Sequence, residues 1–212
     1  MATIVIIAIT LVVFVAEWFL PILVYGGAFS PVFLTGYAFA PWTMFTSLLL
    51  HSTSLIFHVL LNMFTLWIFG SQLEPLLGRT RFVVLYLVSG LAAAVGVVLI
   101  GDSQQFVIGA SGALFGLMGA YLVVQRHLGS SVNGLYVLLG INLVIGFLPG
   151  SNVAWQAHLG GLVGGALMGL ILVRTRNRAQ RGLQIGLIAG LSIALFVIGV
   201  VVANLRIAAI VG

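Results

Sequence analysis

The 212-residue chain has no lysine, no cysteine and only three acidic residues, and charged residues make up 5% of it. Soluble domains carry about a quarter of their residues as charges, so eight arginines and three acids cannot clothe a surface in water. A soluble globular domain and a disordered chain are both excluded. The absence of cysteine removes disulfides, thiolate nucleophiles and thiolate metal sites. What remains is 62% hydrophobic residues and 27 glycines, the composition of a polytopic integral membrane protein. The net charge of +5 is all arginine. Most of it lies at the ends of apolar runs, which is a topology signal and not a nucleic-acid footprint. The expected surroundings are a lipid bilayer, with no nucleic-acid partner.

Apolar runs between charges and turn residues predict seven spans, at about 3–24, 54–70, 81–100, 111–127, 132–148, 156–173 and 183–205. The first has no basic leader and an apolar run of about 23 residues, longer than the h-region of a cleaved signal. The loops after spans two, four and six hold Arg79, Arg81, Arg126, Arg174, Arg176, Arg178 and Arg181, and only Arg206 falls opposite. This bias predicts a cytoplasmic N-terminus, an outward C-terminus and odd-numbered loops facing outward. The expected location is the inner (plasma) membrane of a bacterium or archaeon, since the chain shows no organelle presequence.

Residues 21–53 are too apolar for a water-exposed loop and carry seven aromatic residues from Tyr25 to Phe45. They read as a structure in the outer interface, where aromatic rings are favoured, or as a broken, re-entrant span. Span seven carries Gly182, Gly186 and Gly190, which read either as a packing stripe or as part of a lipid-facing anchor.

Polar residues inside a membrane are costly and therefore functional candidates. No acid lies mid-span, which counts against an ion-coupled transporter. His58 and Asn62 are four apart, so they share one helix face near the outward end of span two. They can hold an anion or a carbonyl oxygen, or act as hydrogen-bond glue between helices. Ser111 lies where a loop enters span four. It is either an N-cap or a nucleophile beside free backbone amides that favour developing negative charge. His158 stands at the outer end of a glycine groove, because Gly161, Gly165 and Gly169 fall within about 60° of it on a helix. Span four has a matching stripe at Gly112, Gly116 and Gly119. Two such stripes let helices approach closely, which predicts Ser111 and His158 within hydrogen-bond reach as nucleophile and general base. No acid is placed to orient the histidine, so the expected unit is a dyad.

In this order and on these spans, the residues resemble the rhomboid family of intramembrane serine proteases. The resemblance runs over roughly residues 41–173. It rests on Pro41 with Trp42, on His51, His58, Asn62 and Met63, on Gly70, Glu74 and Gly78, on Gly109 to Gly112, and on Ala157 to Gly161. It implies an all-α, polytopic helical membrane protein with a six-helix core in residues 1–181, plus a C-terminal transmembrane helix in 182–212. Residues 21–53 would be the family's interfacial loop-one hairpin. Ser111 would be the nucleophile and His158 the base, with the Ser111 backbone, His58 and Asn62 as the oxyanion hole. Phe147, Pro149, Gly150 and Trp155 would belong to a movable gate and cap. Three departures stand out: Thr43 where the family often has arginine, Phe115 where some members carry a tyrosine, and a wider spacing of His51 from His58. His51 is expected to be structural.

The implied activity is serine endopeptidase cleavage of transmembrane-helix substrates, single-span or polytopic, near the outer interface, with no cofactor and no metal. The rival readings are a catalytically inactive rhomboid-like protein that binds transmembrane clients, and a small-solute transporter.

Overall fold

The structure, a computed structural model, describes residues 1–148 and 153–211. Helix α1 (Ala2–Phe19) stops earlier than the predicted 24. The cause is Pro21, which has no amide hydrogen to continue the ladder and instead opens a short helix, α2 (Ile22–Gly27). A 3-10 turn (Pro31–Leu34) and the single-turn α3 (Thr43–Thr46) follow. No helix in residues 21–53 exceeds six residues. Phe29, Leu34 and Met44 are fully buried, whereas Tyr25, Tyr37, Phe39 and Trp42 stay exposed. The segment packs one face on the protein and presents an aromatic outer face.

Helix α4 (Ile56–Leu77) runs past the predicted end at 70 and carries Pro75 in its last turn. Gly78, at φ +82°, ends it and opens α5 (Arg79–Ile100). Its amide bonds to Glu74 O at 2.8 Å and its carbonyl accepts from Phe82 N–H at 3.0 Å. A residue with a Cβ resists that conformation, so glycine makes the tight corner. Helix α6 (Ser111–His127) closes on Gly129, with Ser130 N–H reaching back to Gln125 O at 2.9 Å. Then come α7 (Asn133–Gly146), α8 (Trp155–Arg174), a 3-10 turn (Arg178–Gln180) and α9 (Arg181–Val211).

Among the described residues five helices, α1, α4, α5, α8 and α9, are long and apolar enough to cross a membrane alone. The other two expected spans are shorter. The 17 residues of α6 reach about 25 Å, and the helix is buried from Gly112 through Ala120. The 14 residues of α7 reach about 21 Å, and it packs loosely at the periphery with an exposed apolar face of Val137, Ile141 and Val144.

The centre is α8, wedged between α5 and α6. A Cβ at Gly161 or Gly165 would overlap the backbone of Gly112 or Gly116 in α6, and one at Gly160 or Gly164 would overlap Ala92 in α5. The predicted pair of glycine stripes is therefore the packing seam. The stripe in α9 is not: among the described residues a Cβ at Gly182, Gly186 or Gly190 would meet nothing within 4 Å. Helix α9 docks instead through Gln184, which accepts from Arg81 Nε, and through its far end. Gly199 touches Leu34 and Val95, Asn204 donates to Leu34 O, and Arg206 donates to Val98 O and Gly101 O.

Candidate active site

Ser111 is the first residue of α6, and Ala110 holds the N-cap position with no side-chain cap bond at that terminus. The serine is therefore not an N-cap. Its Oγ lies 2.9 Å from Nε2 of His158, in the first turn of α8. The close approach of α6 and α8 brings the two side chains together across a sequence gap of 47 residues.

With the hydroxyl donating to Nε2, the ring proton belongs on Nδ1; this tautomer is assigned from the hydrogen bond. Nδ1 is buried and has no partner among the described residues. The ring is held by stacking instead: Phe115, one turn below Ser111, lies 4.1 Å away at 12°. The first amides of α6 have no intrahelical acceptor. The ladder opens only with Leu114 N–H to Ala110 O.

Loop one fixes the approach to Ser111. Phe29 and Val107 exchange both backbone hydrogen bonds, at 3.0 and 2.7 Å, and Gly109 N–H donates to Ser47 O at 2.9 Å. Gly109 then turns at φ +114°. A Cβ there would sit 2.8 Å from Nε2 of His58, so glycine admits the imidazole against the backbone two residues before the serine. His58 Nδ1 accepts from Ser52 N–H at 3.3 Å, which leaves the proton on Nε2, facing Gly109. Asn62 is buried one turn deeper. Its Nδ2 donates to His58 O at 2.7 Å, and its Oδ1 is unpartnered among the described residues. A cavity of about 20 Å³ borders Ser111, Ser47 and Gly109, large enough for one water molecule.

His51 is fully buried, with its ring 5.0 Å from that of His58. Its amide donates to Glu17 in α1 at 3.2 Å and its Nδ1 meets Leu49 O at 3.3 Å. Burial, with His58 beside it, pushes its pKa down to about 4. Glu17, which the sequence places near the end of the first span, is 3% exposed and supplies the acceptor for this loop. The rings of Phe147 and Trp155 meet at 4.6 Å, tilted by 36°. A Cβ at Gly146 would sit 3.0 Å from Trp155 Cβ. Pro149 and Gly150 lie outside the described residues.

Residues 38–175, with this site inside them, match the family model of the Rhomboid domain. The chain belongs to the rhomboid family. This rhomboid is 34% identical over 142 residues to YdcA of Bacillus subtilis (strain 168), provisionally named a rhomboid protease, covering 65% of this chain and 70% of that protein. It is 36% identical over 139 residues to RHOMBOID-like protein 1 of Arabidopsis thaliana, covering 62% and 34% of the two. Against Rhomboid protease GluP of Bacillus subtilis (strain 168) it is 33% identical over 129 residues, covering 56% and 24%. This rhomboid thus spans most of the first relative and about a third or less of the other two. It is an all-α, multi-pass integral membrane protein.

Proposed function

We propose that this rhomboid is an intramembrane serine endopeptidase with Ser111 as nucleophile and His158 as general base. The observation that carries the reading is the 2.9 Å contact between Ser111 Oγ and His158 Nε2 at the start of two tightly packed helices. The names of two relatives as rhomboid proteases support the same class of activity.

His158 Nε2 takes the proton of Ser111 as Oγ attacks the scissile carbonyl carbon. The tetrahedral oxyanion meets the Ser111 amide, His58 Nε2–H and the second hydrogen of Asn62 Nδ2. One such donor is typically worth about 10²–10³ in rate. Collapse breaks the C–N bond, and the leaving amine takes the proton from His158. Water then attacks the acyl ester and delivers a proton to His158, and serine is regenerated. With no carboxylate behind it, the imidazolium formed in each step leans on the face of Phe115, a cation–π contact. A transmembrane helix cannot be cut while its carbonyls are bonded internally, so substrates carry helix-breaking residues near the cut.

In this reading residues 1–181 form the catalytic core, with 21–53 as its interfacial segment, and 182–212 add a seventh span. The arginine-rich end faces the cytoplasm and the dyad opens outward. Loop five and α7, with Phe147, Pro149, Gly150 and Trp155, form the gate, which suits the loose packing of α7.

The test uses purified wild type, Ser111→Ala and His158→Ala with a single-span substrate bearing a helix-breaking segment near its outer end. Wild type cleaves; each variant, equally helical, loses about 10⁴-fold or more. A fluorophosphonate labels wild type and spares Ser111→Ala. Cleavage that survives in Ser111→Ala defeats the assignment. Wild type that neither cuts nor labels is an inactive, client-binding rhomboid.

A further inference from the structure

At the end of the bundle opposite the dyad, a groove of about 910 Å³ opens between the α4–α5 corner and the start of α9. Its mouth holds four arginines: Arg79, Arg81, Arg178 and Arg181. Deeper in, its walls are aliphatic, with Val84 from α5 and Ile185 and Ala189 from α9. Both walls belong to helices long and apolar enough to cross the membrane.

The protein supplies almost no anion to these cations. The chain has three acids. Glu17 and Asp102 lie at the other end, on His51 and in the loop after α5. Glu74 stands 3.9 Å from Arg79, but its carboxylate already accepts from Ala2 N, Thr3 N and Thr3 Oγ. Among the described residues Arg81, Arg178 and Arg181 have no carboxylate within ion-pair distance. Arg81 Nε donates to Gln184 Oε1 at 2.9 Å, which ties α5 to α9 across the groove floor and leaves its charge uncompensated.

A partner for this groove needs a negative headgroup and an aliphatic body. A phosphodiester suits the forked donors of arginine, and acyl chains suit the wall below. The lining contains no aromatic ring on which a nucleobase would stack. The volume is at the upper end for a ligand site and continues into the bilayer between two spans. We propose that the groove seats one anionic phospholipid, with its phosphate on Arg79, Arg178 and Arg181 and its acyl chains along α5 and α9. The lipid fills the groove beside the Arg81–Gln184 contact. Nothing in this inference depends on proteolysis.

The test takes the full chain in a neutral detergent and adds dioleoylphosphatidylglycerol, dioleoylphosphatidylcholine or inorganic phosphate. Retained lipid is counted by native mass spectrometry, and the thermal unfolding midpoint is followed in parallel. Phosphatidylglycerol is expected to be retained and to raise the midpoint; phosphatidylcholine at equal concentration is not. A basic side chain near a lipid surface is worth roughly five-fold in affinity. Arg178→Gln with Arg181→Gln should therefore weaken retention roughly 25-fold. Ala189→Trp fills the aliphatic wall at an exposed position, keeps every charge, and should weaken retention with helicity unchanged. It carries the test if the double variant unfolds. Equal retention of the two lipids overturns the proposal, as does retention unmoved by these variants. A full midpoint shift from inorganic phosphate alone also overturns it, since the site would then serve a free anion.

Discussion

Phe115 shows how one side chain fills a role that a hydrogen bond has elsewhere. His158 Nδ1 has no acceptor among the described residues, so the stacked phenyl ring is what orients the imidazole and, in the proposed mechanism, would face its transient positive charge. Phe115→Leu keeps the volume close but removes the π face. We expect kcat to fall roughly three- to ten-fold, the worth of an ordinary cation–π contact, with little change in KM and helicity. Kinetics on one substrate across the pair of proteins checks it. His51 offers a second reading at this scale. Its ordinary pKa of 6.5 drops to about 4 in the folded protein, first through burial and then through His58. Between these values the unfolded chain binds a proton that the folded chain refuses. Stability from this group is therefore whole above about pH 7 and is lost as pH falls towards 4, by up to about 3 kcal/mol. Between pH 7 and pH 5 the His51→Gln variant should therefore lose less stability, or gain more, than wild type, as read from the unfolding midpoints of the two proteins at each pH. Helical spacing puts His58 and Asn62 on one face and His158 at the head of a glycine stripe, while their proposed roles with Ser111 come from the family resemblance. Spacing could not expose the link from Glu17 to His51, because the two lie 34 residues apart and meet through a backbone amide.

Between helices, the glycines carry the fold. Gly161 and Gly165 stand where a methyl group would overlap the backbone of Gly112 and Gly116. Gly165→Ala must force α6 and α8 apart, and overpacking of this kind costs roughly 1–3 kcal/mol. It should also lengthen the reach from Ser111 to His158, so activity should fall further than stability accounts for. Unfolding in detergent together with proteolysis of the folded fraction separates the two effects. The same residue type misleads in α9. Gly182, Gly186 and Gly190 have the spacing of a packing stripe, yet among the described residues a Cβ added there would meet nothing within 4 Å; Gln184, Gly199, Asn204 and Arg206 make the contacts instead. A periodic pattern records which residues share a face, not which faces meet a neighbour.

Over the whole molecule, the two ends are built differently. At the arginine-rich end Glu74 receives the first turn of α1 through Ala2 N, Thr3 N and Thr3 Oγ, at 2.7 to 2.9 Å. Gly70, one turn earlier in α4, leaves room for the Thr3 side chain, which a Cβ there would strike. That gives a physical reason for glycine and glutamate four residues apart. Glu74→Gln swaps an acceptor-only group for one that points donors at donors, at a cost of about 1–3 kcal/mol. Hydrogen exchange at the start of α1 should speed up at least about five-fold, with α6 and α8 unaffected. At the dyad end, loop one clasps residues 107–109 against the protein and so sets the direction in which the chain enters α6.

The amino-acid sequence by itself determined the solvent, the number of apolar segments, the arginine asymmetry and the glycine faces of spans four and six. These follow from local composition and helical period, which need no knowledge of neighbours. Proline and glycine also punctuate the chain, although α1 stops at Phe19 and α4 runs on to Leu77. Only the tertiary structure decided that His58 lies against Gly109, that Phe115 stacks on His158, that loop one pairs with Val107, and that four arginines gather around a groove between α5 and the start of α9. Those are contacts between residues dozens of positions apart. They depend on how closely helices approach and on what angle loops take, and a one-dimensional pattern carries neither distance nor direction.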